Sequence, residues 1–345
     1  MRRGIPTTRP PSTRTGASSP RSPTPSGRAP RRAARRPDCP LPSLTDVPGL
    51  AVGHATDAAA RTGCTVILGP FRAAADVRGS ATGTRELGAL EPDHLAGRVD
   101  ALLLAGGSAF GLAAADGVMR WLEARGRGFD AGVTRVPIVA AAVVFDLGVG
   151  DPSRRPDAAM GEAACEAAGS GAVLEGRVGA GAGATVGKGV PDATPSDGGV
   201  GSWSVRVGSH TVAALVVANS VGDVRDAAGA IVAGARAADG AWADVSRTLI
   251  EAPRAGPEPR GGVNTTLAVI ATDAPLDRPS LRSLARAGSA GLARRVTPYG
   301  TPFDGDVAFA LSTAGVADPP DPACLLALCA AAAEAAAEAV VRAVA

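Results

Sequence analysis

The sequence predicts a layered α+β domain, and three observations carry that expectation. Apolar runs of strand length alternate with longer amphipathic runs of helix length. The strands come in meanders between helices rather than as a regular βαβ repeat. The composition, 46% hydrophobic but only 3% aromatic with 45 Gly, suits a core of Ala, Val and Leu with close backbone contacts. At 345 residues the chain suits one large domain, with no internal repeat and no second linker to divide it.

Residues 1–40 are rich in Pro, Ser, Thr and Arg and offer almost nothing to bury, which is a disorder signature. They contain no apolar h-region, so a secretory signal is not expected, and a start codon assigned too early is the alternative. The domain is expected over 41–345. Within it "CTVILG" (64–69) and "VDALLLAGG" (99–107) read as buried strands, the second running into the helix "SAFGLAAADGVMRWLEARG". "VPIVAAAVVFDL" reads as a strand and "PDAAMGEAACEAA" as a helix. Three strand-like pieces follow, "GRVGAGAGATVGKG", "SWSVRVG" and "HTVAALVVANS". "TTLAVIATDAP" is a strand, "RPSLRSLARAGSAGLARRV" a helix and "DVAFALST" a strand. The Ala-rich end places Glu334, Glu338 and Arg342 four residues apart, so its charges share one face of an amphipathic helix.

Charge and cysteines narrow the function. The net charge is +2, and ten arginines fall within the first 36 residues, so the rest of the chain is mildly acidic. The pI of 8.4 therefore describes the tail, and nucleic acid is not an expected partner. No uninterrupted apolar run reaches the roughly 18 residues of a membrane span, so no membrane is expected either. Five cysteines without C-x-x-C spacing suggest neither zinc nor a disulfide framework, and reduced thiols suit a cytoplasmic protein.

Several motifs invite a functional reading beside a plain one. "LAGGSAFG" (104–111) joins a strand to a helix but lacks the G-x-G-x-x-G spacing. Phe110 stands where a G-x-S-x-G elbow needs its last glycine. Gly106, Gly107 and Ser108 either pack helix on strand or line a substrate pocket with backbone N–H groups. "GAGATVGKG" resembles a P-loop, yet Ala182 replaces its first glycine and Gly189 its Ser/Thr, so nucleotide binding is rejected. His54, His94 and His210 are scattered and match no Ser or Cys motif, which leaves a Ser-His-Asp or Cys-His enzyme unsupported. In "TPFDGD" Asp304 and Asp306 form either an ordinary turn or a carboxylate pair that holds a lysine charged or orients a nucleophile.

Rare residues point further. Lys188 is the one lysine among 35 basic residues, leaving 34 arginines, and glutamine is missing. Guanidinium is always charged, whereas a buried ammonium shifts its pKa and donates from a compact point, so this lysine is a site candidate. Asparagine occurs twice, as Asn219 and Asn264, the latter in "GGVNTTL" between a Pro/Gly/Arg loop and an apolar strand. A threonine hydroxyl needs a base to act as a nucleophile. A cut between Asn264 and Thr265 would provide one, because the new α-amine has an ordinary pKa of about 7.7–8.0. The plain alternative is a loop-to-strand junction.

Taken together, "LTDVPGLAVGHAT", "VDALLLAGGSAFGLAAADGVMRWLE", "VPIVAAAVVFDL", "GRVGAGAGATVGKG", "VVANSVGDV", "NTTLAVIATDAPL" and "TPFDGDVAFALST" resemble the L-aminopeptidase/D-esterase family, which includes β-aminopeptidases and nylon-oligomer endohydrolases. The resemblance covers nearly everything but the tail. It implies a four-layer αββα sandwich like that of N-terminal-nucleophile hydrolases, autocleaved between Asn264 and Thr265 into a large subunit to 264 and a small subunit over 265–345. Thr265 then becomes the nucleophile, with Lys188 and Asn219 hydrogen-bonding near it and Asp304 and Asp306 behind. Phe145 stands where the nylon-oligomer branch carries a tyrosine. The resemblance further implies a small peptide or amide substrate, no metal or organic cofactor, and a homo-oligomer of cleaved heterodimers. An acyltransferase on a similar self-cleaving fold and a non-catalytic small-molecule binder are the rivals.

Overall fold

A computed structural model describes residues 1, 41–252, 264–315 and 320–345. The tail over 2–40 and the Pro/Gly/Arg loop over 253–263 lie outside the described residues. Contacts divide the chain after Cys39, and the unit Pro40–Ala345 carries every element that follows.

Nine strands form one continuous sheet: β1 (Ala51–Asp57), β2 (Thr62–Val77), β3 (Thr84–Arg85), β4 (Val99–Ala105), β5 (Val139–Val143), β6 (Gly199–Val207), β7 (His210–Asn219), β8 (Thr265–Thr272) and β9 (Val307–Ser312). Their order is β6-β7-β8-β9-β2-β4-β5-β3, with β1 paired to β2. β2 belongs to both halves. Its first part pairs with β1 and β4 and its last part with β9, and the register with β4 shifts between Leu68 and Phe71, at Gly69–Pro70. A 16-residue strand interrupted there lets the sheet turn back on itself.

Alternation along each strand then fixes the layers. Leu215, Val217, Leu267, Val269, Phe309 and Leu311 from one half meet Ile67, Phe71, Leu102 and Leu104 from the other in a central core. The alternate residues face outward. Val212, Ala214, Val216, Ala268 and Ile270 lie under helices α4 (Arg278–Ala293) and α5 (Pro322–Arg342), while Val66, Leu103 and Ala141 lie under α1 (Ala114–Glu123) and α2 (Ala158–Glu166). The result is the expected αββα sandwich.

Helix α5 is long and apolar enough to cross a membrane by length and composition, yet its Leu328, Ala332, Ala335, Ala336, Ala339 and Val340 belong to the core under α4. Its charged face behaves as its spacing requires: Glu334 pairs with Arg294, Glu338 with Arg295, and Arg342 with Glu175.

Two local expectations change, and one helix joins the elements read from the sequence. The helix read from Ser108 starts as a 3-10 turn over Ser108–Ala113 before α1. The added element is a short helix α3 (Val245–Glu251), N-capped by Asp244. The stretch over 176–189 is not a full strand. Only Thr185–Val186 form a strand and Gly176 makes a single bridge to Val200, because Gly176, Gly179 and Gly187 take positive φ and turn the chain.

Candidate active site

Strand directions bring the rare residues together. β8 and β9 are parallel, so both begin at the same end of the sandwich, and β7, antiparallel to β8, finishes there. Thr265 opens β8 opposite Asn219, the last residue of β7. On the other flank Asn264 bridges to Asp304, just ahead of β9. Asn219 and Thr265 continue the alternation of Val217 and Leu267, so both side chains sit at the end of the central layer. Lys188 arrives on a strap fixed at both sides, with Gly187 N–H donating to Gly222 O and Gly189 N–H to Val221 O. Gly187, at φ +82°, has no room for a Cβ, which would lie 2.1 Å from Ala235 N.

The polar groups interlock. Lys188 Nζ donates to Asn219 O at 3.0 Å and to Asn219 Oδ1 at 2.8 Å, while Thr185 N–H donates to the same Oδ1 at 3.0 Å. Asn219 Nδ2 donates to Phe145 O at 3.2 Å. An ammonium only donates and a carbonyl only accepts, so this network fixes which way the Asn219 amide faces. Phe145 thus enters the network through its backbone. Thr265 Oγ1 donates to Asn264 O at 2.5 Å. Asp306 accepts from Thr266 N–H at 2.5 Å and Gly300 N–H at 2.9 Å, and Asp304 Oδ2 accepts from the Thr301 N–H and hydroxyl. Asp304 Oδ1 and Asn264 Oδ1 are buried without a hydrogen bond among the described residues.

Electrostatics set the protonation states. Burial lowers the Lys188 ammonium from its usual 10.5 to about 7, against the opposing pull of Asp304, Asp306 and Asp146. Although the residue's surface is only half-buried, its ammonium is screened little, because Nζ is turned onto Asn219. Burial raises Asp304, and raises Asp306 with help from the Asp304 charge. The Asp304 charge beside Asp306 couples these two carboxylates, so their protons come off as a pair.

Sequence reasoning places Asp146 only as the neighbour of Phe145. In the fold it is a third buried carboxylate near Lys188, accepting from the Thr62 hydroxyl at 2.7 Å and Gly107 N–H at 2.6 Å. Its burial outweighs both hydrogen bonds and raises its pKa. The Gly106–Ser108 turn is accordingly occupied from within: Gly106 N–H donates to Gly63 O and Ser108 N–H to Val144 O. A Cβ at Gly106 would lie 2.0 Å from Asp146 Oδ2. All three N–H groups of this turn thus have partners within the fold. A cleft of about 580 Å³ lies beyond Thr62, lined by His54, Asp57, Arg154 and Arg155, and includes neither Thr265 nor Lys188. Among the described residues no three His, Cys, Asp or Glu side chains gather as a metal site.

Comparison with known proteins places this geometry. The chain is similar in structure to a Burkholderia sp. beta-aminopeptidase, with a TM-score of 0.66 and 27% identity over 88% of this chain and 86% of that one. It shares the fold of the Ochrobactrum anthropi L-aminopeptidase D-Ala-esterase/amidase, described as a variant of the Ntn hydrolase fold, with a TM-score of 0.65 and 23% identity over 88% and 86%. In sequence it is 44% identical over 306 residues to an uncharacterized aminopeptidase of Mycobacterium tuberculosis (strain ATCC 25618 / H37Rv), covering 81% of this chain and 83% of that one. It is 34% identical over 275 residues to the 6-aminohexanoate-oligomer endohydrolase of Kocuria sp. (strain KY2), covering 78% and 74%. Fold and relatives define a hydrolase of peptide or other linear amide bonds with the Ntn-hydrolase architecture. The profile of Peptidase family S58 matches residues 42–345, and the chain belongs to that family.

Proposed function

We propose that the chain cuts itself between Asn264 and Thr265 and then works as an aminopeptidase-type hydrolase through the N-terminal Thr265. The observation that carries this reading is the Thr265 hydroxyl, held 2.5 Å from the carbonyl oxygen of the peptide bond before it, at the first residue of a buried central strand. In turnover Thr265 Oγ attacks the substrate carbonyl and the Thr265 amine accepts its proton. The acyl group moves to Oγ, the leaving amine takes the proton, and water releases the acid and restores the hydroxyl. Asn219 Nδ2 has a second hydrogen beyond the one given to Phe145 O, and this is the donor assigned to the oxyanion. Lys188 polarises the Asn219 amide and holds the Thr265 amine neutral, with Asp304 and Asp306 keeping Lys188 charged.

The small subunit, 345 − 264 = 81 residues, supplies β8, β9, α4 and α5. Those elements fill the middle of one sheet and its helical layer, so the two pieces remain one folded unit. We assign the cleaved protein to the cytoplasm, where its free Cys64, Cys165, Cys324 and Cys329 stay reduced, and to a homo-oligomer.

The proposed substrate is a small peptide or amide with a free amino end. A second reading, hydrolysis of 6-aminohexanoate oligomers, is favoured by the Kocuria relative and opposed by Phe145, which brings no hydroxyl to the site. Product analysis with and without an added amine such as glutamate tests the hydrolase against an acyltransferase. Free acid alone in both mixtures is expected, and transfer to the amine as the main product would overturn the hydrolase reading.

Lys188 gives the reaction a pH signature. Below about pH 7 it keeps its proton in the folded protein. Above that it is a neutral amine, although an unfolded lysine would hold its proton to about 10.4. A charged donor makes the stronger hydrogen bond to Asn219. kcat is therefore expected to fall by about tenfold, roughly 1.4 kcal/mol of barrier, between pH 7 and 9. A flat kcat profile over that range would remove the charge of Lys188 from the reaction.

A further inference from the structure

The peptide bond to be cut has a second donor that the turnover scheme does not use. Gly305 N–H donates to Asn264 O at 2.8 Å, the same oxygen that receives the Thr265 hydroxyl. The Asp304–Gly305 peptide is itself pinned from behind, because Ala81 N–H donates to Asp304 O at 2.9 Å and Arg78 N–H to Asp306 O at 2.9 Å. Residue 305 has no space for a side chain. A Cβ would lie 2.7 Å from Thr265 Oγ1 and 2.9 Å from Ala81 O. Glycine is needed here for close approach of the backbone to the reacting threonine, not for an unusual φ.

We propose that the Gly305 N–H is the oxyanion donor of self-cleavage. The inference rests on the self-processing reading above. In the step, Thr265 Oγ bonds to the carbonyl carbon of Asn264, whose oxygen takes up negative charge against Gly305 N–H. The hydroxyl proton passes to the Thr265 nitrogen as the C–N bond breaks. An ester between Asn264 and Thr265 Oγ and a free Thr265 amine result. Water then attacks the ester, leaving a carboxylate on Asn264 and the hydroxyl back on Thr265. A donor fixed 2.7–3.1 Å from the oxygen that becomes the oxyanion meets the geometric demand of such a site, and loss of one donor typically costs about 100-fold to 1000-fold in rate.

Replacing Gly305 by glycolic acid through nonsense suppression turns its N–H into an ester oxygen without adding bulk. Purified precursor carrying this change should cleave at least about 100-fold more slowly than wild type. Its circular-dichroism spectrum should match that of the uncleaved Thr265→Ala chain. Hydroxylamine, which attacks the ester intermediate, should not restore the speed, because the slowed step precedes ester formation. Wild-type cleavage of the substituted chain, or rescue by hydroxylamine, would overturn the proposal. Ala81→Pro provides a second variant. It keeps the Gly305 N–H but removes the hydrogen bond that pins Asp304, and displacement of the donor should slow cleavage by at least about tenfold. Unchanged cleavage in Ala81→Pro would also count against it. Wild-type protein in the same assay separates two failures: an uncleaved wild type sinks the self-processing reading, whereas a cleaving wild type with an equally fast glycolate variant sinks only the role of Gly305.

Discussion

Thr265→Ala is expected to yield a single full-length chain without hydrolase activity, while Thr266→Ala still separates into two fragments. The contrast follows from the alternation of β8. Thr265 falls in line with Leu267 and Val269, which face the central layer where Asn219 and Lys188 meet. Thr266 falls in line with Ala268 and Ile270, which face α4 and α5, and its buried Oγ1 has no hydrogen bond among the described residues. What Thr266 contributes to the site is its backbone N–H on Asp306, which alanine retains. Removing the Thr265 hydroxyl removes the one atom able to form the ester, so no residual cleavage at this bond is expected. Denaturing electrophoresis of both purified variants reads the result, and a processed Thr265→Ala chain would sink the assignment of the nucleophile.

Lys188→Arg should lower cleavage or turnover by at least about 100-fold, despite keeping the charge. Lys188 Nζ touches two atoms of Asn219 at 2.8 and 3.0 Å from a strap with no slack. A Cβ at Gly187 would lie 2.1 Å from Ala235 N, and one at Gly189 would lie 2.5 Å from Val245 Cγ1. A planar guanidinium is larger than an ammonium and needs space this strap lacks, so Asn219 must move. A misplacement of about 1 Å in a reacting geometry costs about 100-fold. Lys188→Met should be worse for chemistry. Among the described residues it leaves Asn219 Oδ1 with only Thr185 N–H as donor, and it removes the cation that offsets the Asp304 and Asp306 carboxylates. Both variants should keep the wild-type circular-dichroism spectrum. Near-wild-type rates in Lys188→Arg would show that the lysine is only a structural cation in a chain that elsewhere uses arginine.

How far the sequence reaches differs between elements for physical reasons. β7, β8 and β9 are legible because both their faces are buried, which writes an unbroken apolar run at strand length. The extent of β2 is not: "CTVILG" announces its first half, but Gly69–Pro70 reads as an end, whereas the chain bends there and continues to Val77. That bend is what creates two sheet halves, so the sandwich is implied by the family resemblance and not by periodicity. The glycines over 176–189 read as strand because spacing is blind to φ.

Within the site, Lys188, Asn219 and Asn264 stand out because the chain so rarely uses their residue types. Asp304 and Asp306 are ordinary turn residues by spacing alone, and only pairing of Asn264 with Asp304 puts them beside Thr265. Asp146 and Gly305 are silent in the sequence. The environment of Asp146 is built by Thr62 and Gly107, and the close approach of Gly305 by Asn264, Thr265 and Ala81, all distant along the chain.

The central claim is that Thr265 becomes a chain terminus. Amino-terminal sequencing and intact mass of the small fragment from purified wild-type protein test it most directly. A fragment of 81 residues that begins Thr-Thr-Leu-Ala is predicted, accompanied by a large fragment ending at Asn264. A single chain under denaturing conditions, or a small fragment that begins at Thr266 or at any serine, would contradict it.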